Sequence, residues 1–359
     1  MNHLTFVFVH GLSGWGSYDA QYQRFPYWGM RNGDLIRQLR DRGYEAYAAS
    51  VSPHGSAYDR ACELYAQLSG ERTDYGAKHA ARYGHERYGP DFSGRPLIPS
   101  FDESTKLVLF GHSFGGATIR LFADILKYGR SEECTEDASS FFQGGKGERL
   151  FALYTLASPH NGTTAYDAYE DPQFLPESIP YNLKEIIAGK LMSSNNSKDQ
   201  SKFHPEDCAA YDMHIDNALK LNRNCHLDEN VYYFSQPCRI TYKNKEGFLE
   251  PDEKNCELMF RRTSRVMGHY QGFTKSGLKI DESWQENDGL VNTVSAMYPL
   301  NQPHRSLKDT KAEKGVWNVL EVMQADHMAL QGGLSKKYEV LPYYLKMLEM
   351  ITELNQEEK

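Results

Sequence analysis

Gly111-His112-Ser113-Phe114-Gly115 directly follows an apolar stretch and runs directly into a helical pattern. G-x-S-x-G in that setting holds a serine on a sharp strand-to-helix turn, with its hydroxyl exposed at the end of a sheet. Glycines two residues before and after keep Cβ atoms out of the neighbouring strand and helix, and the helix N-terminus offers free amides to a developing oxyanion. A serine nucleophile also needs an imidazole to take its proton and an acid to orient that imidazole. In this setting they follow in the order Ser, Asp or Glu, His. Downstream lie His160, His204, His214, His226, His269, His304 and His327. Of these, His327, in Ala325-Asp326-His327-Met328, falls in a loop between the last expected sheet element and a closing helix. Asp288, in Glu286-Asn287-Asp288-Gly289-Leu290-Val291-Asn292, sits in a short polar turn leading into an apolar segment; its rivals for the acid are Asp281 and Asp326. The oxyanion hole takes one N–H from Phe114 and one from Leu12, in the early glycine-rich loop His10-Gly11-Leu12-Ser13-Gly14-Trp15-Gly16.

A second constellation is of metal type. His79 and His85 stand close together among Tyr75, Tyr83 and Tyr88, and Asp59 or Asp74 could join them. Closely spaced imidazoles with a carboxylate suit zinc, although two solvated surface histidines read the same way. Cys62 falls on an apolar helical face and reads as core.

These groups need a scaffold. Strands are expected at Leu4–Val9, Glu45–Val51, Lys106–Gly111, Phe151–Ala157 and Val231–Ser235, and helices at Asp34–Arg42, Phe114–Tyr128 and Leu341–Glu353. Short apolar runs alternating with helical patterns predict an α/β fold, a mostly parallel sheet with helices on both faces. Two segments depart from the alternation. Residues 59–99, rich in Tyr, His, Arg and Gly, read as an insert. Residues 167–204 begin with Pro-rich loops, continue in an amphipathic stretch around Asn182–Met192 and end in a polar Ser193–Lys202 run. No repeat or linker divides the chain, so one elaborated domain spanning 1–359 is expected.

Composition narrows the function. The 359 residues carry 40 Lys+Arg against 48 Asp+Glu, a formal net charge of −8, which argues against nucleic acid or an anionic membrane surface as the main partner. No apolar run is long enough to span a bilayer. Met1–Val9 read as a strand and not as a leader, so either the protein stays in the cell or a leader has been removed. The six scattered cysteines read as small buried hydrophobes. The aromatic surplus, 24 Tyr and 17 Phe, gathers around the oxyanion loop (Trp15, Tyr27, Trp28), the metal insert (Tyr58, Tyr65, Tyr75, Tyr83, Tyr88) and residues 167–204 (Phe174, Tyr181), which suggests the lining of an acyl cleft and packing around a metal.

Longer strings carry a resemblance. Tyr27-Trp28-Gly29, the run from Asp59 to Leu68, Thr73-Asp74-Tyr75-Gly76-Ala77-Lys78-His79-Ala80, Tyr83-Gly84-His85, Ser158-Pro159-His160-Asn161-Gly162-Thr163-Thr164 and Lys314-Gly315-Val316-Trp317-Asn318 resemble the thermoalkalophilic zinc lipases of Bacillus and Staphylococcus type. They also resemble the related zinc-containing polyesterases of clostridia. With the glycine-rich loop and the Asp288 turn, the landmarks run from His10 to His327. The resemblance implies an α/β-hydrolase fold with a helical lid at 167–204, and Ser113, Asp288 and His327 as a triad. It also implies a structural zinc held by Asp59, His79, His85 and a distant carboxylate matching Asp212. It further implies secretion, and ester or lipid substrates for a monomer or weak dimer. Ala329 and Leu334 stand roughly where the family places calcium-binding acids, so that site is expected to be missing. The expected activity is serine-dependent hydrolysis of acylglycerols or other carboxylic esters, polyesters among them. A zinc-dependent metallohydrolase and a non-catalytic binding protein are the rival readings.

Overall fold

Apolar β-branched and aromatic runs supply the centre of the sheet. In a computed structural model that describes residues 4–179, 184–185, 203–308, 310–334 and 338–358, seven strands form one sheet: β1 (Leu4–Val9), β2 (Glu45–Ala49), β3 (Lys106–His112), β4 (Leu150–Leu156), β5 (Tyr232–Gln236), β6 (His304–Ser306) and β7 (Trp317–Val319). Their spatial order is β6-β7-β5-β4-β3-β1-β2, and every pairing is parallel. β1 and β4 are buried at every residue, as strands covered on both faces must be.

The covering helices are α1 (Leu35–Arg40), α2 (Ala57–Ser69), α3 (Ala77–Tyr83), α4 (Gly115–Tyr128), α5 (Thr164–Glu170), α6 (Ala209–Met213), α7 (Ile215–Arg223), α8 (Leu258–His269), α9 (Thr293–Met297) and α10 (Leu341–Glu357). Side chains alternate across a strand, so β1 and β3 feed two cores. Val7, Val9, Leu107 and Leu109 pack under α2 and α4, whereas Phe6, Phe8, Val108 and Phe110 pack against α1 and α10. Asp34 caps α1 by accepting from the Arg37 N–H, and Ser56 caps α2 by accepting from that of Asp59.

The expected strands and helices are present, the first strand with the expected bounds and the others with ends shifted by at most four residues. β6, β7 and the helices α3 and α5 to α9 were not expected. β6 and β7 are three-residue edge strands, too short to show a period, and the buried face of α8 mixes Ser264, Arg265 and Gly268 with Phe260, Val266 and Met267. The 59–99 segment divides. α2 is part of the main core and carries Asp59, while α3 carries His79 and the loop from α3 to the strand Tyr88–Asp91, which pairs antiparallel with Arg72–Asp74, carries His85. In the 167–204 segment, Tyr181, the Ser193–Lys202 run and the amphipathic stretch apart from Lys184 and Glu185 lie outside the described residues.

Topology places the site. β2 lies on one side of β1 and β3 on the other, so the strand order reverses at β1. The crevice beyond the carboxyl ends of such a pair is where open α/β sheets bind ligands. The glycine-rich loop leaves β1 there, and Ser113 leaves β3.

Candidate functional site

Ser113 lies between the end of β3 and the start of α4 at φ 54°, a left-handed conformation that costs strain in any residue with a Cβ. The flanking glycines are steric necessities. A Cβ on Gly111 would stand 2.6 Å from the Gly115 carbonyl oxygen, and one on Gly115 would stand 2.3 Å from that of Val9. Only glycine at both positions lets the turn close against β1.

His327 Nε2 lies 2.9 Å from Ser113 Oγ, and its Nδ1 lies 2.8 Å from Asp288 Oδ2. All three residues are buried. The Asp288 carboxylate is fixed through its other oxygen, which accepts the Leu290 and Val291 N–H groups at 3.0 and 2.8 Å, while its carbonyl accepts the His327 N–H at 2.9 Å. A carboxylate held on Nδ1–H leaves Nε2 free to accept a proton from the serine. The rival acids are engaged elsewhere. Asp281 caps the Glu282–Trp284 turn, and Asp326 accepts the Glu257 and Met328 N–H groups. Burial pushes the Asp326 pKa up to about 6.

The glycine-rich loop is tied at both edges of Gly11. Its N–H donates to the Tyr27 hydroxyl at 2.9 Å, and its carbonyl accepts from His10 Nδ1 at 2.9 Å. Burial lowers the His10 pKa to about 3, so the ring is neutral and its Nε2 accepts the Val51 N–H. The N–H groups of Leu12 and Phe114 find no acceptor among the described residues. Motif reading missed two supporting side chains. Tyr27 donates to His112 Nδ1 at 2.8 Å, and His112 Nε2 donates to the His327 carbonyl at 2.9 Å. Burial keeps the His112 pKa well below its ordinary value. The only sequence signals were the variable position of the elbow and an aromatic cluster.

Ser113 and His327 open into a cavity of about 640 Å³ walled by Leu12, Trp15, Tyr166, Met213, Phe260 and Val291. Trp15 and Tyr27 line it, as the aromatic surplus suggested, whereas Trp28 is wholly buried in the core beneath.

The metal-type residues also converge. Asp59, His79, His85 and Asp207 each offer a ligand atom within 4.8 Å of the others. His79 Nε2 lies 3.0 Å from Asp59 Oδ1 and 3.3 Å from Asp207 Oδ2. His85 Nε2 is buried 3.3 Å from the same Asp207 oxygen, without hydrogen-bond alignment. Its Nδ1 donates to the Glu86 carbonyl at 2.8 Å, which turns Nε2 toward the cluster. Burial would lower the His79 pKa, yet hydrogen bonds to Asp207 and Asp59 override it and lift it to about 9. Two imidazoles and two carboxylates converging on a point that favours positive charge fit a divalent metal. Tyr58 stacks on His79 with centroids 4.1 Å apart.

The fourth carboxylate differs from expectation. Asp212 accepts the Ala57 N–H at 2.8 Å, which anchors the start of α2, and burial raises its pKa to about 7. Asp207 takes the place at the cluster because the Ala209 N–H donates to the His54 carbonyl, drawing residues 207–209 alongside the start of α2. No local pattern distinguishes Asp207 in the sequence. Asp74 is held by Arg87 through both oxygens, and Cys62 is buried in the core.

The chain matches the family described as "Lipase-like, C-terminal domain" over residues 2–198 and 195–341. It is 33% identical over 362 residues to Lipase 2 of Staphylococcus aureus, covering 92% of this chain and 51% of that protein. It is 32% identical over 345 residues to a lipase of Staphylococcus epidermidis, covering 89% and 48%. The chain thus spans about half the length of the curated relatives it matches. Among solved structures, EstA from Clostridium botulinum superposes with a TM-score of 0.83 at 28% identity, covering 98% of this chain and 87% of that one. Staphylococcus hyicus lipase gives 0.82 at 28%, covering 100% and 97%.

Proposed function

Because the chain belongs to the family of lipase-like C-terminal domains, we propose that it is a serine carboxylester hydrolase working through an acyl-enzyme. The observation that carries this reading is the continuous Ser113–His327–Asp288 hydrogen-bond path at the mouth of an apolar cavity. Ser113 Oγ attacks the ester carbonyl carbon as its proton passes to His327 Nε2. The carbonyl oxygen becomes an oxyanion held by the Leu12 and Phe114 N–H groups. Asp288 holds the imidazolium, which returns the proton to the leaving alkoxide as the C–O bond breaks. Water, deprotonated by His327, then attacks the acyl-enzyme, and the acid leaves as Ser113 regains its proton. The apolar walls suit the acyl chain of an acylglycerol or another carboxylic ester.

The metal cluster has a structural role in this reading, with zinc as its ion and Asp59, His79, His85 and Asp207 as ligands. A zinc with four protein ligands contributes folding energy and has no open position for water. It would clip α2, α3 and the 207–209 segment together. None of the four ligands lines the cavity that holds Ser113, which favours serine chemistry over metal-centred hydrolysis.

The test is Ser113→Ala on p-nitrophenyl butyrate, with organophosphonate labelling of the wild type. A loss of about 10⁴-fold or more in kcat with an unchanged melting temperature is expected. Substantial turnover by the variant would sink the reading.

A further inference from the structure

Arg60 is the one guanidinium among the described residues that is fully buried against the glycine-rich loop. It is 0% exposed and sits in the first turn of α2. Nη2 donates to the His10 carbonyl, Nη1 to those of Ser52 at 3.0 Å and Gly11 at 3.4 Å, and Nε to Thr118 Oγ1 at 2.8 Å. Thr118 Oγ1 in turn bonds the Phe114 carbonyl at 3.3 Å, and the guanidinium carbon stands 5.1 Å over the Phe114 ring. Arg60 therefore touches the loop that presents one free N–H and the residue that presents the other.

Two physical points give this contact a consequence. A trans peptide sets C=O and N–H on opposite sides, so holding the Gly11 carbonyl toward Arg60 turns the Leu12 N–H of the same peptide the other way. A Cβ at Gly11 would lie 2.7 Å from Ser113 Cβ, so this peptide abuts the nucleophile directly. The second point is charge. Arg60 forms no ion pair among the described residues; Glu63, on the same helix, gives its oxygens to the Ser52 N–H and the Tyr75 hydroxyl. A permanently charged group buried with only neutral acceptors is costly. The reaction creates its negative charge at the Leu12 and Phe114 amides, beside that cation.

We infer that Arg60 is a positioning residue for the oxyanion hole: it locks the His10–Gly11–Leu12 backbone so that the Leu12 N–H faces Ser113, and its charge, hydrogen-bonded only to neutral acceptors, favours the tetrahedral oxyanion over the neutral ester. This rests on the ester-hydrolase reading and adds to it a group that touches neither substrate nor triad.

The experiment compares wild type with Arg60→Met, which keeps the buried stem and removes the charge, and with Arg60→Lys. p-Nitrophenyl butyrate kinetics are read beside the affinities of a phenylboronic acid, which forms a tetrahedral anion on serine, and a neutral alkyl ketone of similar size. Arg60→Met is expected to lose about 10- to 100-fold in kcat with KM within about threefold, since it disorders one donor of the hole. Its boronate affinity should fall by a similar factor while ketone affinity stays. Arg60→Lys should recover part of both. A kcat within twofold of wild type, a loss confined to KM, or equal weakening of boronate and ketone would overturn the inference. If Arg60→Met fails to fold, Thr118→Val decides. Freeing Nε should weaken boronate about threefold or more, and unchanged boronate binding overturns the proposal. Absence of wild-type turnover or phosphonate labelling would instead break the ester-hydrolase reading.

Discussion

The two constellations of this chain use the same residue types, imidazole and carboxylate, and differ in what is left unsatisfied. At Ser113 each polar atom has a directed partner in a single path, and the path ends on a hydroxyl facing an apolar cavity. At the metal cluster the donors crowd one another, with one Asp207 oxygen 3.3 Å from both imidazoles, and no nucleophile stands among them. A linear path moves protons; a crowded ring of donors asks for a cation. In the proposed reading the same side chains serve chemistry in one place and cohesion in the other, according to whether geometry leaves an open end.

That contrast can be broken most severely at the acid. Asp288→Asn should lower kcat about 10³- to 10⁴-fold by leaving the imidazole in the wrong tautomer, with little change in melting temperature; retained esterase activity would show that the path is not the working one. At the cluster the signs reverse. Asp207→Ala should lose the bound metal, read by elemental analysis, and lower the melting temperature by about 5 °C or more, while any residual folded enzyme keeps its KM. Metal retention in that variant would contradict the ligand assignment. Asp212→Ala is the matched control: it should keep the metal and cost about 1 kcal/mol for the lost contact at the start of α2.

Asp326 sharpens the contrast between acids that work and acids that only pack. Its folded pKa near 6 lies above the ordinary 3.8 because of burial. As pH rises from about 4 to 6, the unfolded chain gives up this proton while the folded protein still holds it. Stability therefore falls across that window, by about 2–3 kcal/mol at most. Asp326→Asn should flatten the fall in urea unfolding measured from pH 4 to pH 7 and keep esterase activity. An unchanged pH slope would show that the group titrates normally.

Local sequence was enough for the elbow because its constraints are local: a strand, a left-handed serine and two glycines lie within a few residues. The order of Ser113, Asp288 and His327 was readable because topology delivers successive loops to one sheet edge. Asp207 was not readable, because its place depends on a bridge between residues 207–209 and 54–55, and Asp212 stands five residues away with the same side chain. The short edge strands β6 and β7 were hidden for a related reason: three residues carry no period.

By itself the sequence determined the nucleophile turn, the parallel core strands and the kind of donors at each constellation. These follow from steric limits at single residues and from the hydrophobic pattern along single elements. Only the tertiary structure decided which carboxylate joins Asp59, His79 and His85, that Tyr27 and His112 lead to the His327 carbonyl, and that Arg60 binds the carbonyls of His10 and Gly11. Each of these joins groups from separate elements, and which donor meets which acceptor is settled only when packed helices and strands bring them within about 3 Å.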